Sequence, residues 1–152
     1  MAVNTRPAGV RTALQWSALA TGAVFLLAGT LGFLPGITAN YTSLQFAGPD
    51  SGALLLGIFQ VSVLHNLVHL AFGVAGLAMA RTHRQARNFL IYGGVTYLAL
   101  WLYGLLIGDD TPANFIPENH ADNWLHLILG LAMIALAIAL SPRTAPAGRR
   151  EP

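Results

Sequence analysis

His65 and His69 stand four residues apart, and so do Asp122 and His126. On a helix that spacing stacks each pair on one face. Three imidazoles and a carboxylate are a ligand set for tetrahedral zinc, and similar donors suit iron or copper. Haem and a quinone-like small molecule are neighbouring chemistries. Any amphipathic helix also yields such pairs, so a second reading stays open in which these residues only pack. Asn119 suits a helix N-cap, and Asp122, at the third helical position, can close a capping box while favouring the positive helix end. Ser62 suits the N-cap before the first pair. Asn66 and Asn123 could bond across the helix seam, and His69 and His126 could satisfy one another or a carbonyl. The capping box accounts for Asp122 without a ligand, which tips the balance toward packing.

Both pairs belong to a phrase used twice. His65-Asn66-Leu67-Val68-His69-Leu70-Ala71-Phe72-Gly73 returns at an offset of fifty-seven as Asp122-Asn123-Trp124-Leu125-His126-Leu127-Ile128-Leu129-Gly130. Upstream, Ile58 to Ser62 lies over Phe115 to Asn119. A second echo runs at an offset of seventy-two, where Gly22, Phe25, Leu26, Gly32, Leu34 and Gly36 lie over Gly94, Tyr97, Leu98, Gly104, Leu106 and Gly108. The chain thus reads as a duplicated helical hairpin, two helices plus two.

The elements that must carry these residues are apolar enough for a bilayer. Of the residues, 55% are hydrophobic and only 9% charged, against roughly 25% charged in soluble domains. The fold class expected is an all-α membrane protein of four transmembrane helices, at about 14–34, 63–80, 88–107 and 120–140. Residues 1–11 form a short polar segment and 12–140 the membrane domain. The Pro/Ala/Arg tail 141–152 has too little apolar surface to fold. The first block, at about 20 residues, is long enough to span and too long for a signal-peptide core. The connection from Ile37 to Val61 holds an apolar patch at Leu54 to Phe59, too short to span, which should lie in the interface or cover the bundle end.

Charge fixes an orientation. All eight basic residues are arginines, and they fall at the two termini and between the second and third helices. The other two connections hold Asp50, Asp109, Asp110, Glu118 and Asp122 with no basic residue. By the positive-inside rule the arginine faces, and both termini, are cytoplasmic. Each repeat has an even number of spans, so the copies run parallel about an axis along the membrane normal, and the polar first turns share the outer leaflet. Carboxylates without a cation there must find water, histidine, a metal or another protein. His120, Asp109 and Asp110 read as solvated.

Other chemistries find no support. The chain lacks cysteine and lysine, which removes thiolate sites and Schiff bases. No phosphate loop follows a strand and no serine sits in a nucleophile elbow, so an enzyme is not the expectation. A pI near 9.5 raises nucleic acid, but the arginines are dispersed, without aromatic interleaving. The partners expected are the lipid bilayer and a membrane protein or a second copy.

Three segments, Val63 to Leu70, Tyr97 to Gly104 and Ala121 to Leu127, resemble in order a bacterial family of small four-span membrane proteins catalogued only as a domain of unknown function. The chain departs from that pattern at Gln60, where a proline often stands. The resemblance implies the four-helix membrane fold and a bacterial plasma-membrane location, and it transfers no catalytic residue. A more distant likeness in architecture to DoxX-like proteins implies a redox accessory role with quinone or respiratory partners.

Overall fold

A computed structural model describes residues 10–107, 111 and 113–141. The segment 1–9, Gly108, Asp109, Asp110, Pro112 and the tail 142–152 lie outside the described residues. Four helices carry the chain: α1 Ala13–Leu31, α2 Val63–Met79, α3 His83–Leu106 and α4 His120–Ala139. By length and composition α1, α3 and α4 can cross a membrane. The apolar α2 has 17 residues, about 26 Å at 1.5 Å per residue. Val24, Leu27, Val74, Val95, Ile128 and Ile138 are exposed on the helices, a surface suited to lipid rather than water.

Local chemistry sets the helix ends. Thr12 and Gln15 close a capping box on α1, and Ser62 caps α2 by accepting from the His65 N–H at 3.1 Å. The expected start of the third helix at Asn88 is corrected to His83. Thr82 caps it by accepting from Gln85 N–H at 3.2 Å, so Arg84 and Arg87 ride on its first turns. The first helix stops at Leu31 rather than Leu34, because the Thr38 hydroxyl donates to the Leu31 carbonyl at 3.1 Å and the chain then turns through Gly36 at φ +91°.

The all-α expectation needs one further correction. The connection between α1 and α2 folds into a small antiparallel sheet of β1 Thr38–Ala39, β2 Leu54–Leu55 and β3 Phe59–Gln60, in that spatial order. Two-residue strands are too short to show an alternating pattern in sequence. Ala53, Leu55 and Val61 are buried there against Ala28 and Leu31 of α1, so the Leu54 to Phe59 patch covers one end of the helices.

Helix α1 packs chiefly on α2, and α3 on α4. Glycine permits both approaches. A Cβ added at Gly22 would stand 2.9 Å from the Gly73 carbonyl oxygen, and one at Gly94 would stand 2.9 Å from that of Gly130. Leu26 lies over Gly73, and Leu98 over Gly130. Between the hairpins, Phe25 and Tyr97 stack at 5.3 Å with rings 7° from parallel. At the end away from the sheet, Gln15 donates to the Ala80 and Arg81 carbonyls at 3.1 and 2.8 Å, and Arg87 donates to the Ser141 hydroxyl at 2.8 Å.

Candidate functional site

A crevice of about 240 Å³ opens beneath the sheet, rimmed by exposed Val24, Leu27 and Leu56. His65, His69, Asp122 and His126 all line it, together with Phe25 and Tyr97. The first turns of α2 and α4 therefore face one space. The His65 and His69 rings meet edge-on at 4.6 Å, Phe25 lies 5.8 Å from His69, and Tyr97 lies 5.2 Å from His126.

Asp122 has the firmest anchorage. Its Oδ2 accepts from the backbone N–H of Asn119 and of Gln60, each at 2.9 Å, so one carboxylate closes the capping box of α4 and ties β3 to it. Asn119 completes the tie by donating its amide to the Ile58 carbonyl at 2.8 Å. Leaving a buried N–H without its acceptor costs about 1–3 kcal/mol.

The segment before α4 supplies partners for the histidines. Asn114 pairs with Glu118 through both its side-chain atoms, at 3.2 and 3.3 Å, which fixes this turn. The Pro117 carbonyl then faces His65 Nδ1 at 3.3 Å, and the Glu118 carboxylate faces His126 Nδ1 at 3.4 Å. The second contact is within ion-pair range but off-line for a hydrogen bond. Glu118 is only 3% exposed, and neither of its carboxylate oxygens finds a hydrogen-bond partner among the described residues.

Other expected partners differ. Asn66 and Asn123 do not bond across the seam. Asn66 sits against Gly32, the residue that caps the C-terminal end of α1, and Asn123 against Gly104 of α3, each where a Cβ would collide with the side-chain amide. The Asn66 amide is fully buried without a hydrogen-bond partner among the described residues. His69 Nδ1 is likewise unpaired, and His120 accepts from the indole N–H of Trp124 at 3.1 Å. No three histidine or acidic side chains among the described residues form a ready metal-binding group. Glu118 and Tyr97 were not singled out as site residues in the sequence. Glu118 had a signal, since at the offset of fifty-seven it lies over Val61, an equally buried apolar residue.

No curated protein and no solved structure matches the chain. Residues 15–139 match the family described as Domain of unknown function (DUF4383), a match that takes in α2, α3, α4, all of α1 but its first two residues, and every residue of the crevice. The chain belongs to that family.

Proposed function

We propose that this is a four-span protein of the bacterial plasma membrane, built as two parallel hairpins, whose crevice binds a small lipid-soluble molecule for a membrane partner. The carrying observation is the unpaired polarity beside an apolar cavity. His69 Nδ1, on a residue that lines the cavity, is buried without a hydrogen-bond partner among the described residues, and the buried Glu118 carboxylate behind the wall meets His126 Nδ1 only off-line at 3.4 Å. Left unmade, each such bond costs about 1–3 kcal/mol, which argues against a cluster whose purpose is packing. With no cysteine or lysine and no phosphate loop, the role fits an accessory subunit better than an enzyme.

The twin contacts support the parallel repeat. Gly22 on Gly73 and Leu26 on Gly73 have counterparts in Gly94 on Gly130 and Leu98 on Gly130, at the offsets of seventy-two and fifty-seven. Phe25 beside His69 corresponds to Tyr97 beside His126, and the two rings stack on one another, as a twofold relation between the hairpins would require. Superposing the two hairpins should place the Asn66 and Asn123 Cα atoms within about 2 Å, since a fixed offset within a helix implies one register. Both ends of the domain then face the cytoplasm. A cysteine at exposed Asp50 should react with an impermeant thiol reagent on intact cells, and one at exposed Arg84 should not. Labelling at Arg84 in sealed cells would reverse the orientation.

Binding is tested with 2-naphthol on the protein in lipid nanodiscs, against empty nanodiscs. One saturable site per chain is expected, and Ala28→Trp, which puts an indole into the crevice wall, should weaken it about tenfold or more. Only unsaturable partition would refute the reading. Metal analysis and an absorption spectrum of the purified protein address the second reading, in which His65, His69, Asp122 and His126 rearrange around a divalent metal or haem iron. Stoichiometric metal lost on replacing any one of three ligands would establish that reading instead.

A further inference from the structure

Resting on the crevice-binding reading, we infer that the crevice selects a neutral aromatic alcohol, a phenol or hydroquinone, over the corresponding ether, carbonyl or anion. Proton positions on the wall decide this. A carbonyl only accepts, so the contact of His65 Nδ1 with the Pro117 carbonyl at 3.3 Å requires the proton on Nδ1. The neutral ring then offers a lone pair at Nε2. The Glu118 carboxylate lies 3.4 Å from His126 Nδ1, off-line for a hydrogen bond, and a negative charge there favours the same placement of the proton on His126. Asp122 Oδ2 is committed to two backbone N–H groups, which leaves Oδ1 as an acceptor.

Three residues of the crevice lining, His65, His126 and Asp122, thus each keep an acceptor atom free of the contacts named. Its lining contains no Arg, Lys, Ser, Thr, Asn or Gln, and only Tyr97 and His69 can donate. A ligand satisfies this wall by bringing O–H groups. An anion would face Asp122, with Glu118 behind His126. A permanent cation would shed its hydration shell for a carboxylate already engaged by two N–H groups.

The apolar body is set by shape. Phe25, Phe59 and Tyr97 give the walls flat faces and edges suited to a planar ring. An apolar cavity of about 150 Å³ holds one benzene, so about 240 Å³ accommodates one substituted or fused ring system. Glu118 in this scheme is a positioning residue. It acts through His126 and lies outside the crevice wall.

The experiment compares 2-naphthol with 2-methoxynaphthalene on the full chain in nanodiscs. The two share a ring system and differ in the donor. The naphthol should bind about tenfold tighter, the worth of one net hydrogen bond of about 1.4 kcal/mol. His65→Phe and His126→Phe should shrink that ratio severalfold while leaving the ether's affinity within about twofold, and His126→Gln, which keeps an acceptor, should retain the ratio. Glu118→Leu should also lower the ratio, and Glu118→Gln should preserve it. Equal, saturable affinities for the naphthol and the ether would overturn the donor requirement and leave crevice binding intact. Saturable binding of neither probe would overturn both. Tighter binding of 2-naphthylmethylammonium than of 2-naphthol would show that the crevice selects charge, against this inference.

Discussion

Replacing Gly22 by alanine should lower the stability of the purified protein by about 1–3 kcal/mol, the usual cost of forcing a methyl group into a closed contact. The new Cβ would meet the Gly73 carbonyl oxygen at 2.9 Å, the Leu77 nitrogen at 3.0 Å and the Gly76 Cα at 3.1 Å. All three are backbone atoms, so no side chain can rotate away and α1 must lift from α2. Gly94→Ala should do the same between α3 and α4, where it meets the Gly130 carbonyl and Ile134. Leu27→Ala, on an exposed part of α1, should cost far less. Thermal unfolding in detergent, followed by intrinsic fluorescence, measures all three. A Gly22→Ala protein as stable as Leu27→Ala would refute the close approach.

Removing the Asp122 carboxylate should be the most damaging change at the site. Asp122→Ala leaves the Asn119 and Gln60 N–H groups without their acceptor and opens the capping box, a loss of roughly 2–4 kcal/mol. Asp122→Asn keeps an oxygen that can accept both bonds and should recover most of that loss. Hydrogen exchange supplies a local readout. The Gln60 amide, far away in sequence on β3, should lose protection in the alanine variant and keep much of it in the asparagine variant. Unchanged Gln60 exchange in Asp122→Ala would mean that the sheet does not depend on α4.

The helices and the cap at Asn119 were legible because both are local. A twenty-residue apolar run and an Asn with Asp three positions later need no knowledge of the rest of the chain. The true start of α3 was obscured by Arg84 and Arg87, whose charges read as a connection although Thr82 makes a sound cap. The sheet was hidden because its strands are two residues long and are held by Gln60 reaching Asp122 and Ile58 reaching Asn119. Those partners are about sixty residues apart, and no local pattern announces them. Of the site, the four residues named from their spacing do share one crevice. What spacing could not supply was the Pro117-Glu118 turn, which sets a carbonyl against His65 Nδ1 and a carboxylate near His126 Nδ1.

The predominance of α1 with α2 and α3 with α4 bears on biogenesis. Each major interface joins helices adjacent in the chain, so the first can close while the second half is still being synthesised. Such near-neighbour contacts carry a low loop-closure cost and favour fast assembly. The crevice is different, because its residues come from both halves and it can form only at the last docking step. Two separately translated fragments, divided in the short link after α2, should therefore each insert as a helical pair and form the crevice only when co-expressed.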